Sequence, residues 1–281
     1  MLRSGLFLVA LAVAGAPFAA DPPPPEGVDV KKSRLLLLPK SRVEASAAQQ
    51  YNEMMRSAAQ KGALNAERRA TERLRNIARR LIPHTARFDA DAVRWRWEVN
   101  LIRSPAVNAF CMPGGKIAFF SGLTDGLRLS DDEIAVIMGH EMSHALLEHG
   151  RARISEQVLK VAGVNIAAAL LNLSNVSASL LAQAADLALT LPYARSQETD
   201  ADLAGIEIAA RAGYDPRAAV AVWQKMARLT GPRGQPPQFL STHPAHAARI
   251  QTIEARLPRV MPLYESARRA QAGAQGTGNS K

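Results

Sequence analysis

His140 and His144 stand four residues apart with Glu141 beside the first of them, in the run Gly139-His140-Glu141-Met142-Ser143-His144-Ala145. On a helix this spacing projects both imidazoles from one face, so one ion can be reached by both while Glu141 lies within reach of a water on that ion. The composition of the chain yields this H-E-x-x-H template by chance roughly 0.006 times in a sequence of this length. The neighbours Ile134, Val136, Ile137, Met138, Ala145, Leu146 and Leu147 cover every direction of the helical wheel, which predicts a core helix. Burying two imidazoles and a carboxylate there without partners costs several kcal/mol. A metal ion answers that need; histidines satisfied by hydrogen bonds alone are the simpler alternative.

Two protein ligands do not complete a catalytic zinc site, which usually takes three and an open position. The third candidate is Glu198, in Ser196-Gln197-Glu198-Thr199-Asp200-Ala201-Asp202. Glu198 and Asp202 are four apart and share a helical face. Glu198 would bind the metal, and Asp202 would accept the other ring proton of a ligand histidine, fixing its tautomer. A solvated acidic first turn, favoured by the helix dipole, is the competing reading.

At these residues the chain resembles the zinc metallopeptidases of the HtpX, Oma and CAAX prenyl endopeptidase type, in particular their soluble periplasmic BepA- and LoiP-like branch. The resemblance runs from about residue 108 to 250. It rests on Asn-Ala-Phe-Cys-Met-Pro-Gly-Gly-Lys-Ile at 108 to 117, the segment at 139 to 145, Glu198 to Asp202, Ala-Gly-Tyr-Asp-Pro at 212 to 216, and Ser-Thr-His-Pro followed by Arg249-Ile250. It implies one zinc held by His140, His144 and Glu198, with Glu141 as catalytic base. Asp200 stands where many members carry glutamate. Such a zinc would lower the pKa of water toward ~7, Glu141 would take the proton, and the leaving amine would receive it. His243, before Pro244, is expected at a helix start near the zinc, stabilising the oxyanion or capping the metal. Arg249 would orient a nearby acid or touch substrate. The hairpin residues Gly114, Gly115, Lys116 and Ile117 are expected to offer a strand edge to an extended peptide. Cys111 reads as a small buried hydrophobe, and His84, His149 and His246 as structural or surface groups.

Around these residues the spacing predicts an α+β fold, a mainly helical metallopeptidase domain of zincin type with a small antiparallel sheet. Ser41 with Glu44 has capping-box spacing for a helix to about residue 63, and a second helix runs from Asn65 until Pro83 stops it. Val93, Trp95, Trp97, Val99 and Leu101 alternate with polar residues as one strand, and segments 107–112 and 116–121 form two more around Pro113-Gly114-Gly115. Helices are expected at 131–149, 196–212, 216–229 and 244–256, the first opened by Ser130 and Glu133. The apolar stretch 154–191 reads as a core helical pair, with a flap or a membrane-surface contact as the other reading.

The chain has 281 residues, 47% of them hydrophobic, and one cysteine, which excludes a disulfide framework and a disordered chain. Its net charge of +10 invites a nucleic-acid reading, and ten of the arginines fall in residues 67–103. They mix there with acids and no nucleic-acid module is visible, so only attraction to anionic lipid survives of that idea. Arg3 followed by a charge-free run to Ala20 predicts a signal peptide over 1–20 and a periplasmic protein without a lipid anchor. A Pro-rich linker is expected at 21–30, the peptidase domain at 31–265 and a disordered tail at 266–281. The partners expected are unfolded or misassembled envelope proteins, with possible peripheral membrane contact.

Overall fold

The computed structural model describes residues 27–33, 36–162, 190–229, 237–244 and 247–278. The expected signal peptide, His246 and most of the 154–191 stretch lie outside them. No helix of the described residues is long and apolar enough to cross a membrane.

Two helices come first, α1 (Lys40–Gln60) and α2 (Arg68–Leu81). The first starts at Lys40, one residue before Ser41, with Pro39 rather than Ser41 at its N-cap, because proline's fixed φ already sets the helix entry there. α1 lies against the sheet, where the Tyr51 hydroxyl donates to the Ile117 carbonyl at 2.6 Å. α2 buries Leu74, Ile77, Ala78 and Leu81, the face its periodicity predicts, and ends as an α-helix at Leu81, just before Pro83, passing into a 3₁₀ turn over Ile82–Arg87.

The strands are β1 (Glu98–Ile102), β2 (Ala109–Met112) and β3 (Lys116–Phe120), in spatial order β1-β3-β2. β2 and β3 are antiparallel, as their tight turn requires, but β1 runs parallel to β3. The small sheet is therefore mixed, which corrects the wholly antiparallel expectation. The loop from Arg103 carries the chain past the place of β3, so β1 and β2 end up on opposite edges, and neighbours β1 and β3 share a direction. Strand β1 also starts later than the alternation suggested: Ala92–Arg94 is a 3₁₀ turn, and Trp95 and Trp97 alternate while packing on each other at 5.3 Å.

A single helical turn, α3 (Ser121–Thr124), leads to α4 (Asp131–Leu146). The Ser130–Glu133 capping box forms in full, and every residue of α4 from Glu133 on is buried. The chain reverses at Glu148, whose φ is 60°, into α5 (His149–Ala162). Then come α6 (Arg195–Arg211), α7 (Ala218–Ala227), α8 (Gln238–Thr242) and α9 (Ala247–Gly278).

Both ends of the expected domain need correction. Val28, placed in the linker, is 1% exposed, and its N–H donates to the buried Glu207 carboxylate at 2.6 Å. The tail expected to be disordered from 266 continues as helix α9 to Gly278. Alanines at 267, 270, 272 and 274 favour the helix, and the Gln271 amide donates to the Ala212 carbonyl at 3.1 Å.

Candidate metal centre

Helices α4 and α6 approach each other where one carries His140 and the other Gly205. A Cβ on Gly205 would lie 2.7 Å from the His140 backbone nitrogen, and one on Gly139 would lie 2.7 Å from the Gly205 carbonyl oxygen. Side chains do not tolerate such distances, so glycine at both positions sets the helix separation. The crossing brings Glu198 and Asp202, one turn apart on α6, against His140 and His144, one turn apart on α4.

His140 Nε2 and His144 Nε2 face each other at 3.1 Å. Glu198 Oε2 is 3.7 Å from the first, and Glu198 Oε1 is 3.5 Å from the second. His243 Nδ1 completes the group, 2.9 Å from Glu198 Oε1 and 3.3 Å from His140 Nε2. One donor atom of each of the four buried residues lies within 4.8 Å of the others. A tetrahedral ion with ~2.1 Å bonds spaces its ligands roughly 3.4 Å apart. The donor set, three imidazoles and one carboxylate converging in a buried site, fits a metal, although Glu198 Oε2 is already in ion-pair contact with Arg249 at 2.6 Å.

His243 reaches the cluster from the end of a helix rather than its start. It caps α8, with its N–H donating to the Phe239 carbonyl at 2.8 Å. Pro244 follows it outside α8, and α9 is described from Ala247.

Behind the donors stand the groups that orient them. His140 Nδ1 lies 3.0 Å from Asp202 Oδ1, in ion-pair range though not aligned as a full hydrogen bond. Arg249 grips Asp202 with two bonds of 2.7 Å and reaches Glu198 Oε2 at 2.6 Å, so it orients both acids. His144 Nδ1 is 2.9 Å from His149 Nδ1, and the Tyr193 ring stacks on His144 at 3.8 Å. For His144 to offer Nε2 to a metal, its Nδ1 must carry the proton and donate it to His149.

Burial pushes the Asp202 and Glu198 carboxyls up, but the opposing charges outweigh it: Arg249 and His140 around Asp202, and His243, His140 and Arg249 around Glu198, hold both below the ordinary carboxylate range. Burial dominates at Glu141, whose carboxyl is raised despite His243 and His140. Burial also holds His144 well below the usual imidazole value, with its histidine neighbours adding to the effect, and takes His149 down to about 3.

A cleft of ≈ 350 Å³ opens beside the cluster, lined by Glu141, His243, Arg153 and Tyr193 together with Phe110, Met112 and Phe120. The hairpin residues named from the sequence do not face it. Gly114 and Gly115 form the turn, with Gly115 under the Trp97 ring. Lys116 and Ile117 lie in β3, which is paired along both edges, and the Lys116 ammonium bonds Glu98 at 2.8 Å. The edge beside the cleft belongs to β2, including Cys111, which is buried and whose thiol pKa burial raises. His149, read from the sequence as a structural or surface group, is buried against His144, while Arg153 and Tyr193 were not singled out. The one available signal was a third histidine five residues past His144, off any helical repeat because the chain reverses between them.

The sequence pattern of peptidase family M48 matches residues 68–257, which contain all four donors and the sheet. The chain belongs to peptidase family M48. Among M48 relatives, the mitochondrial metalloendopeptidase OMA1 of Schizosaccharomyces pombe is 34% identical over 171 residues, 61% of this chain and 50% of that protein. The mitochondrial metalloendopeptidase OMA1 of Arabidopsis thaliana is 35% identical over 185 residues, 64% of this chain and 36% of that one. The β-barrel assembly-enhancing protease of Escherichia coli is 28% identical over 203 residues, 69% and 40% respectively. This M48 chain thus matches half or less of the length of these curated relatives.

Proposed function

We propose that this M48 protein is a zinc-dependent endopeptidase that cleaves unfolded or misassembled proteins of the cell envelope. The observation that carries the reading is the buried donor group of His140, His144, Glu198 and His243 beside Glu141, at the head of a cleft bordered by the edge of β2. A zinc bound by these residues supplies Lewis acidity, acidifying water and polarising a peptide carbonyl. Glu141 holds the proton lost by the attacking water and passes it to the leaving amine. Its raised pKa suits a group that must take and release a proton near neutral pH. The β2 edge binds an extended chain through main-chain groups, which suits unfolded substrates. Export rests on the Arg3-led apolar run, and the envelope role draws support from the relative whose name concerns β-barrel assembly.

The test is casein cleavage by wild type and by Glu141→Gln, with zinc content measured on both. Cleavage by wild type alone, at about one zinc per chain in each, is the expected outcome; equal activity in both would sink the mechanism.

One observation favours a second reading, a gated form of the same enzyme. A fourth protein donor closes a site that catalysis needs open, and His243 stands within reach of that position. If His243 closes the site, His243→Ala raises casein cleavage. If His243 instead assists the reaction at the oxyanion, the same change lowers it.

A further inference from the structure

Arg153 takes no part in the donor cluster, yet it lines the cleft beside it. It is 5% exposed. Its Nη2 donates to the Leu191 carbonyl at 2.5 Å, its Nε–H is buried with no acceptor, and its guanidinium lies 3.8 Å over the Tyr193 ring. No carboxylate pairs with it among the described residues. Arg249 is the internal control: equally buried at 4% exposure, it is held by both Asp202 and Glu198. A desolvated guanidinium without a counter-charge is costly, and one aromatic face compensates only in part. Among the described residues lining the cleft Glu141 is the one carboxylate, and it faces His243 at 3.5 Å rather than pairing with Arg153, while Phe110, Met112 and Phe120 are apolar.

We propose that Arg153 receives a carboxylate of the substrate, so that the cleft selects peptides carrying one at a fixed distance from the scissile bond. A guanidinium already desolvated and stacked in place on Tyr193 loses little freedom when it closes a bidentate pair with a carboxylate. The same chemistry is offered by a Glu or Asp side chain and by a free chain terminus. The inference rests on the peptidase reading, which makes this cleft the substrate's.

The test uses full-length, zinc-loaded Glu141→Gln protein and fluorescence anisotropy of labelled decapeptides of Ala, Leu and Ser. One series steps a single Glu along the peptide, a second carries Gln at the same positions, and a third ends in a free acid or an amide. The expected result is one register at which the carboxylate form binds at least about tenfold more tightly than its neutral twin, the scale of a charge-assisted hydrogen bond in a dry site. Preference confined to the Glu series assigns a side-chain carboxylate; preference confined to acid over amide assigns a chain terminus. The preference disappears in Arg153→Gln and survives in reduced form in Arg153→Lys. No preference at any register, or a preference that survives Arg153→Gln, overturns the proposal, and the peptide comparison stands even where that variant fails to fold. Failure of the peptidase reading shows differently: wild type leaves casein intact while the carboxylate preference in binding remains.

Discussion

His140 and His144 leave the same helix one turn apart and turn their Nε2 atoms toward one point, but the groups that hold them differ in kind. His140 is backed by charge. Its Nδ1 faces Asp202, which Arg249 grips bidentately while also binding Glu198, so one candidate ligand histidine, one candidate ligand carboxylate and two supporting charges form a single network. His144 is backed by a neutral ring. Its Nδ1 meets His149 at 2.9 Å, burial keeps His149 uncharged, and Tyr193 covers its face. Orienting a ligand imidazole takes only an acceptor for its second N–H; a charged acceptor adds basicity and couples the ligand to whatever balances that charge. The two histidines should therefore fail in different ways when their supports are removed.

The charged side breaks hardest. Asp202→Ala leaves Arg249 buried with Glu198 alone and His140 without its partner, and losing one member of a buried pair costs about 3–5 kcal/mol. The expected outcome is a thermal transition lowered by many degrees or lost altogether. Asp202→Asn separates shape from charge, keeping an acceptor without the negative charge, and should lower zinc affinity about 10- to 100-fold in competition with a chelator. If the Asp202→Asn variant melts and holds zinc as wild type does, the charge at that position is idle.

The neutral side breaks more gently. His149→Ala removes the acceptor for His144 Nδ1 and should lower zinc affinity about tenfold, at the low end for the loss of such a partner. His149→Asn offers an amide oxygen to the same proton and should recover part of the loss, a rescue that a purely space-filling role for His149 would not produce.

The comparison also explains which parts of the site could be read from the chain. His140, His144, Glu198 and Asp202 were legible because each pair lies on one helix at i,i+4, and helical spacing fixes which side chains share a face. The start of α4 was legible because Ser130 and Glu133 cap it in full, but its end falls at Leu146 rather than 149. Arg249 was legible only as either a partner for an acid or a contact for substrate, because its partners depend on how α9 packs on α6, and no local pattern records that. His149 and Arg153 were not legible, since the reversal at Glu148 starts a new helix whose facing is set by tertiary packing. The parallel pairing of β1 was hidden for a related reason: alternation predicts a strand but not its neighbour. Trp95 and Trp97 imitate strand alternation while packing on each other before β1 begins.

The smallest expected effect is also the most specific to the neutral side, and it is read from the stability of metal-free protein against pH. The folded pKa of His149, about 3, lies below its ordinary 6.5, so between those values the unfolded chain binds more protons and stability falls as pH falls. Between pH 7 and pH 5.5 this single group should remove about 1 kcal/mol. Other groups act in the same interval: burial and its histidine neighbours lower His144, which adds to the loss. Burial lowers His140 too, but Asp202 and Glu198 outweigh it and raise it, which opposes the loss. Asp202 is held below the ordinary carboxylate range by Arg249 and His140, so its stabilisation is lost only at lower pH, outside the interval. The measurement is therefore a difference, the denaturant midpoints of wild type and His149→Asn at pH 7 and pH 5.5, which reports His149 together with its effect on the His144 it touches. A steeper loss in wild type, by about 1 kcal/mol, marks His149 as the buried neutral acceptor; parallel loss in the two proteins would mean that His149 titrates as in the unfolded chain, and a shallower loss in wild type that it is already protonated when folded.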